Sequence, residues 1–140
     1  MKLIYLTAIL ATILCSCSIT AKREANYKKT EWKDAYKEYA TYACICEITD
    51  NKIEDLLRAK MDISFTIHED ILGGYIDHAD SLGRRYARKI EPIQVDEHHD
   101  LYGYKPSFKE CLLLYKSSKL DSIALESYKK YKKHIFENTP

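Results

Sequence analysis

The chain has 140 residues, with 22 basic and 21 acidic side chains and a formal net charge of +1. This near-neutral balance argues against a nucleic-acid partner, because phosphate backbones bind to net basic faces. The length suffices for one modest hydrophobic core. Only three prolines and four glycines occur, and strand-like alternation is scarce. We therefore predict an all-α fold, a small helical bundle.

The N-terminus has the layout of an export signal. Lys2 is followed by an uncharged stretch, residues 3–14, which is too short to span a membrane. The motif Leu-Cys-Ser-Cys that comes next is typical of a lipobox. We expect a lipoprotein signal peptide over residues 1–16 and lipid on Cys17. The alternative is cleavage after Ala21, which would give a soluble periplasmic product.

Export also predicts the compartment and the domain layout. We expect a periplasmic protein that is anchored to the membrane through its lipid, with a polar tether at residues 17–29 and a helical domain at residues 30–140. Lys2 is the only charged residue before Cys17. Removal of the signal therefore leaves equal numbers of basic and acidic side chains.

Apolar spacing predicts helices along the domain. Thr30 is placed to cap a first helix that runs to about Ile48. Asp50-Asn51 breaks the pattern, and Lys52–Ala59 is expected to form a second, short helix. The inward face of the first helix is expected to carry Trp32, Ala35, Tyr36, Tyr39, Ala43 and Cys46.

Helical spacing resumes at about Ile63 and continues to Ile90. Gly73-Gly74 lies inside this run and lowers helix stability, so we expect a bend or two separate helices there. The residue before Pro92 is disfavoured in a helix, so the element should end at this point.

Residues 92–106 form the one long irregular stretch of the domain. Long loops in compact domains are usually functional or disordered. Tyrosine offers a large contact area at low entropic cost, so a tip of tyrosines and carboxylates suits a partner-binding loop. The candidate partner-binding residues are Asp96, Glu97, Asp100, Tyr102 and Tyr104. The alternative is a solvated connector whose tyrosines fold back onto the bundle.

Acids and histidines in the same loop raise the question of a metal site. The residues concerned are Asp96, His98, His99 and Asp100. No regular ligand spacing and no second cluster accompany them, so we predict no metal ion. We also find no glycine-rich phosphate loop and predict no cofactor.

The C-terminal stretch predicts a helical hairpin. One apolar face of a short helix is expected to carry Phe108, Cys111, Leu112 and Tyr115. Ser117-Ser118 interrupts this helix, and Ser118 with Asp121 predicts a capping box for the last helix. The apolar stripe then continues through Leu120, Ile123, Ala124, Ser127 and Tyr131. Such a hairpin is a structural unit rather than an active site.

The five cysteines divide between processing and folding. Cys15 leaves with the signal and Cys17 takes the lipid, which leaves three, of which two are expected to form a disulfide in an oxidising envelope. Cys111 pairs with either Cys44 or Cys46. Helical phase favours Cys46, which lies on the inward stripe. A catalytic thiol would need a base and an oxyanion site; neither is indicated, so we predict no enzyme.

Two motifs resemble the type VI secretion amidase immunity proteins. The first is Cys-Leu-Leu-Leu-Tyr starting at Cys111, followed by Ser-Lys-Leu-Asp and a final helix. The second is the run at residues 36–45, which is similar to the family's Tyr-Lys-acid-aromatic-Ala run ending in Cys-Ile. The family motif places its cysteine at Cys44, so the resemblance implies one intramolecular disulfide between Cys44 and Cys111.

The resemblance also implies a function. Members of this family are small helical envelope proteins that place a loop and helix surface over the catalytic cleft of a peptidoglycan amidase. We therefore expect a homodimeric immunity protein that binds and occludes such an amidase effector through residues 92–106. The loop carboxylates would mimic those of the peptide substrate. The alternative is a structural helical lipoprotein that scaffolds an envelope assembly.

Overall fold

A computed structural model of the chain describes residues 28–138, with side chains described up to His134. The predicted signal peptide at residues 1–16, the lipid on Cys17 and the alternative cleavage after Ala21 all lie outside the described residues. Within them the fold is all-α, as predicted, and no strand is present.

The described part of the chain is a succession of helices. Helix α1, described over residues 28–48, is followed by α2 (Lys52–Ala59), α3 (Ile67–Leu72), a 3-10 turn (Gly73–Tyr75), α4 (Ile76–Arg88), α5 (Ser107–Lys116) and α6 (Ser118–Asn138). The described residues from Trp32 onward form one compact unit. None of the described helices is long and apolar enough to cross a membrane.

Two breaks between helices occur where they were predicted. Asp50 and Asn51 adopt positive φ angles of 50° and 62°, in the left-handed region that these residue types tolerate better than most. Gly73 has a φ of 50°, which ends α3. The expected interruption at Gly73-Gly74 is therefore confirmed as the boundary between α3 and α4.

The third predicted helix starts later than its apolar spacing indicated. The prediction of a start at Ile63 is wrong, because α3 begins only at Ile67. The carboxylate of Asp62 accepts a hydrogen bond from the backbone N–H of Ser64 at 2.8 Å. Such a local side-chain acceptor competes with the helical ladder and favours a turn.

Both predicted serine and threonine caps are displaced. Residues 28–30 are already helical, so Thr30 lies inside α1 rather than before it. The break before α6 is one residue long, and Ser117 is the cap. Its hydroxyl accepts a hydrogen bond from the backbone N–H of Leu120 at 3.1 Å. Ser118 is therefore the first residue of α6 and not its cap.

Helix α1 supplies much of the core, and α4 packs against it through small residues. The predicted inward residues of α1 are buried or half-buried, and Ala40 joins them. A Cβ atom on Gly83 would lie 2.0 Å from the Ala40 carbonyl oxygen and 2.9 Å from the Cβ of Ala43. Only glycine permits this approach of two backbones. Ala79 and Ala87, one turn to either side of Gly83, are buried as well.

Helix α6 packs on the first turns of α1 around Trp32. The indole N–H donates a buried hydrogen bond to the Ser127 hydroxyl at 2.9 Å, and the indole stacks on the Tyr131 ring with centroids 4.3 Å apart. The ammonium of Lys37 lies 2.7 Å from the carboxylate of Asp121. Because the predicted stripe of α6 is buried or half-buried, that prediction is confirmed.

A disulfide between Cys44 and Cys111 joins α1 to α5, with their Cα atoms 5.7 Å apart. This is the pairing that the resemblance implied. Helical phase alone favoured Cys46, which is a buried free cysteine. Both α1 cysteines are fully buried. Since α1 is covered on more than one side, helical phase could not distinguish between them.

Loss of the disulfide should lower the free energy of unfolding. Its two cysteines are 67 residues apart, a separation for which chain entropy gives a loss of about 2–5 kcal/mol. We expect Cys111→Ala to show this loss in urea unfolding and to be insensitive to reducing agent. Cys46→Ala is the control and should still be destabilised by reducing agent, like the wild type. An unchanged unfolding midpoint for Cys111→Ala would contradict the prediction.

The helix crossing at Gly83 gives a second prediction about stability. Gly83→Ala places a methyl group against the backbone of α1, which cannot yield as a flexible side chain would, so we expect a loss of about 2–3 kcal/mol. Gly74→Ala is the matched control, because a Cβ atom there meets nothing within 4 Å. It should change stability by less than about 0.5 kcal/mol. Denaturant unfolding measures both variants, and equal stabilities would rule out the close approach.

Candidate partner-binding surface

The loop between α4 and α5 is closed at its base. The backbone N–H of Ile93 donates a hydrogen bond to the Tyr104 carbonyl oxygen at 2.8 Å, so the two ends of the loop lie side by side. Ile90 is buried just before the loop, and Pro92 is half-buried. This arrangement is typical of an Ω-loop, a compact surface loop whose ends are close together.

Short-range hydrogen bonds hold the tip of the loop in successive turns. The backbone N–H of His98 donates to the Asp96 carboxylate and that of His99 to the Asp96 carbonyl oxygen, both at 2.9 Å. The N–H of Tyr102 donates to the His99 carbonyl oxygen at 2.8 Å. Gly103 then turns the chain with a φ of 76°, which glycine adopts without strain. Asp96 therefore helps to build the turn.

All five residues predicted to bind a partner are exposed on this loop. Tyr102 and Tyr104 are 58% and 64% exposed, so the alternative in which the tyrosines fold back onto the bundle is contradicted. The carboxylate of Glu97 lies 3.7 Å from the imidazole of His98, and both side chains face solvent. Asp100 is exposed as well. The loop thus presents two aromatic rings and three carboxylates to solvent.

Helix α5 packs on the bundle with a different side from the predicted one. Cys111 and Leu114 are buried, whereas Phe108 and Leu112 are 57% and 46% exposed. The predicted buried face is therefore wrong for Phe108 and Leu112. Each helical residue advances by about 100°, so a face centred between Cys111 and Leu114 leaves Phe108 and Leu112 roughly 90° or more away from the core.

We refer to the exposed apolar side chains of the loop and of α5 as the loop–α5 surface. Its members are Leu101, Tyr102, Tyr104, Phe108, Leu112 and Leu113. The acids Asp96, Glu97 and Asp100 lie on the same loop. These exposed side chains lie on two consecutive elements of the chain, and aromatic residues are enriched at protein interfaces. The arrangement is therefore suited to binding another protein.

Sequence patterns did not indicate Leu101, Phe108, Leu112 and Leu113 as members of this surface. A signal for part of it was present. Residues 111–115 are consecutive apolar or aromatic side chains, and a surface helix can turn only part of such a run toward the core. Once Cys111 is fixed inward by the disulfide, Leu112 has to face away from the core.

Two other kinds of group could take part in chemistry. The free thiol of Cys46 could act as a nucleophile, and the loop histidines could bind a metal ion. Burial raises the pKa of the Cys46 thiol, and a hydrogen bond with the Tyr42 hydroxyl partly offsets this effect. The thiol is therefore protonated at neutral pH and a poor nucleophile. Within the described residues, no group of three or more His, Cys, Asp or Glu side chains is placed to hold a metal ion.

Comparison of the chain with protein-family models, curated proteins and solved structures finds no match. The resemblance carried by the motifs at Cys44 and Cys111 therefore stays a prediction. The disulfide between these two cysteines and the exposure of the loop–α5 surface are properties of this chain itself.

Proposed function

We propose that the protein is a non-catalytic, envelope-localised immunity protein that binds a type VI secretion peptidoglycan amidase and occludes its catalytic cleft. The loop–α5 surface is the observation that supports this proposal best. It combines the exposed rings of Tyr102, Tyr104 and Phe108 with loop carboxylates. Aromatic anchors carry much of the binding energy where one protein fills a pocket of another.

The way in which this surface is held favours tight binding. The disulfide fastens α5 to α1, and the Tyr86 hydroxyl donates a hydrogen bond to the Glu110 carboxylate at 3.4 Å, which links α5 to α4. The bond between Ile93 and Tyr104 closes the loop at its base. A surface that is ordered before binding loses less conformational entropy when the partner arrives.

The proposed mechanism is steric and electrostatic. The aromatic side chains fill the substrate cleft and keep the crosslink peptide out, while the thiol chemistry of the amidase stays intact but unreachable. Glu97 and Asp100 are exposed and take the place of the substrate carboxylates. Complementary charge at such an interface contributes chiefly to specificity and to the rate of association.

The proposed compartment agrees with the cysteines and with the N-terminal sequence. The amidase acts on peptidoglycan, so the immunity protein has to meet it in the periplasm, anchored there through lipid on Cys17. Disulfides persist in oxidising compartments such as the bacterial periplasm. The bond between Cys44 and Cys111 is favoured by the same location.

A structural lipoprotein that scaffolds an envelope assembly is the alternative function. An exposed apolar surface would serve a scaffold equally well. The double motif around Cys44 and Cys111 favours the immunity protein, because a scaffold has no need of it. Inhibition of an amidase separates the two.

Inhibition should be stoichiometric when the protein is titrated into a purified type VI amidase from the same organism, with hydrolysis of peptidoglycan crosslinks as the readout. We expect Tyr102→Ala combined with Phe108→Ala to weaken inhibition at least about tenfold, since buried aromatic anchors dominate interface energetics. Lys129→Ala is the control, because Lys129 is an exposed residue of α6 outside this surface. Charge reversal at Glu97 and Asp100 tests the mimicry of substrate carboxylates.

Asp96 is left intact in the charge-reversal variant because its carboxylate accepts a backbone hydrogen bond. Unchanged inhibition by that variant would refute the mimicry of substrate carboxylates but not the immunity function. Absence of inhibition and of a complex with any amidase of the organism would refute the immunity function and favour the scaffold. Circular dichroism of each variant checks that the helices are retained.

The homodimer that the resemblance implies has a candidate contact surface. On α2 and the segment up to α3, four apolar side chains are 51–88% exposed: Leu56, Met61, Ile63 and Ile67. We expect sedimentation equilibrium to give the mass of a dimer and Ile63→Asp to shift it toward the monomer, because a charge would be buried at the contact. Asp70→Asn is the control. A monomeric wild type would remove the dimer from the proposal and leave the inhibition assay as its own test.

A further inference from the structure

A cavity of about 720 Å³ lies between α4, the end of α5 and α6. Its size falls within the range of small-molecule binding sites, roughly 300–1,000 Å³. No residue of the loop–α5 surface lines it. The cavity is therefore a separate feature of the bundle, which the proposed function leaves unused.

The inner wall of the cavity is apolar. Leu82 comes from α4, Leu114 from α5, and Leu120 and Ile123 from α6. Leu114 and Leu120 belong to the buried core, and Leu82 and Ile123 pack against it while half-exposed. The wall is thus a part of the core that the described helices leave partly uncovered.

The cavity is also strongly cationic. Among the described residues, its charged lining consists of one carboxylate, that of Glu126, and four cationic side chains: Arg85, Lys89, Lys119 and Lys130. None of these four cations has an ion-pair partner within the described part of the chain. By contrast, two other arginines of α4 form ion pairs: Arg84 with Asp80, and Arg88 with Glu47. Unpaired charges of one sign around a cavity attract a ligand of the opposite sign.

His78 adds a polar group to the lining. Its Nδ1 shares a hydrogen bond of 2.5 Å with the Tyr36 hydroxyl. Burial raises the pKa of Tyr36 to about 12, although the nearby Arg85 opposes the shift, so the phenol keeps its proton at neutral pH. His78 therefore offers the cavity a polar side chain beside the apolar wall.

The size of the cavity decides between a polypeptide and a small molecule as its occupant. The cavity volume of 720 Å³ would hold only roughly six residues of an α-helix that is about 10 Å across. A helix needs about 12 residues or more to be stable on its own. A helical partner would therefore place most of its length outside the cavity. A single alkyl chain with a compact head group fits inside it.

We propose that this cavity binds a single-chain anionic amphiphile, a molecule with one alkyl chain and a carboxylate or phosphate head group. The alkyl chain lies along the wall formed by Leu82, Leu114 and Ile123. The head group is bound by the cations at the rim, with Arg85 and Lys119 as its principal partners. This inference goes beyond the proposed immunity function and does not depend on it.

The protein contains its own fluorescent reporter for this site. Trp32 is the only tryptophan. Its ring meets the Tyr75 ring edge to face at 5.6 Å, and its N–H donates to Ser127. Tyr75 and Ser127 both line the cavity, so an occupant should change the emission of Trp32.

The test is a fluorescence titration of the protein, in the form that cells produce, with dodecanoate below its micelle concentration. We expect saturable binding of one molecule per chain, no comparable binding of dodecyltrimethylammonium, and none of inorganic phosphate at the same concentration. Arg85→Gln combined with Lys119→Gln should weaken dodecanoate binding about tenfold, as expected for the loss of two partly exposed charge contacts. Lys60→Gln combined with Lys109→Gln, which removes two exposed lysines outside the cavity, is the matched control.

Five outcomes would overturn the proposal. Equal binding of the cationic amphiphile, or equal losses in the two double variants, would mean that the alkyl chain adsorbs without charge recognition. Equal binding of inorganic phosphate would mean a simple anion site. Binding of an acidic amphipathic peptide without binding of dodecanoate would mean a polypeptide partner. Absence of any binding would leave the cavity without a ligand of this class. No arm uses an amidase, so failure here leaves the immunity function untouched.

Discussion

At Gly83, the backbone of α4 lies against that of α1 so closely that a Cβ atom would sit 2.0 Å from the Ala40 carbonyl oxygen. Two helices in such contact have little freedom to slide, because neither side offers a flexible side chain that can adapt. With α4 placed in this way, α6 covers α1 at Trp32 and the disulfide brings α5 to Cys44. The loop–α5 surface and the cavity both depend on this crossing, because α4 leads into the loop and forms a wall of the cavity.

Helix α5 shows how one short element contributes to several features at once. The disulfide fixes Cys111 toward α1, and this single constraint sets the direction of every other side chain on the helix. Leu114 turns inward and becomes part of the cavity wall, while Phe108 and Leu112 turn outward. A one-residue change of helical phase would bury the proposed contact residues. The covalent bond is therefore as important for presenting the surface as for stability.

The parts of the fold that were predicted correctly are those in which neighbouring residues decide the conformation. Lys52–Ala59 and the break at Gly73-Gly74 follow from local periodicity and from the backbone freedom of glycine. The loop was located because the helical spacing ends before Pro92. The face of α5 was not predicted, because the burial of Leu114 instead of Leu112 depends on a bond to a cysteine 67 positions earlier in the chain. The cavity was not predicted either, since it exists only where three helices meet.

The arginines of α4 also show what depends on the meeting of helices. Arg84 pairs with Asp80 of the same helix. Arg85 is the next residue in the chain, yet it points about 100° away around the helix and lines the cavity, as Lys89 does one turn later. Repulsion among like charges around an apolar wall disfavours the compact state. Such an arrangement is expected where a bound anion offsets the repulsion, and it is this unbalanced charge, more than the cavity itself, that favours a ligand.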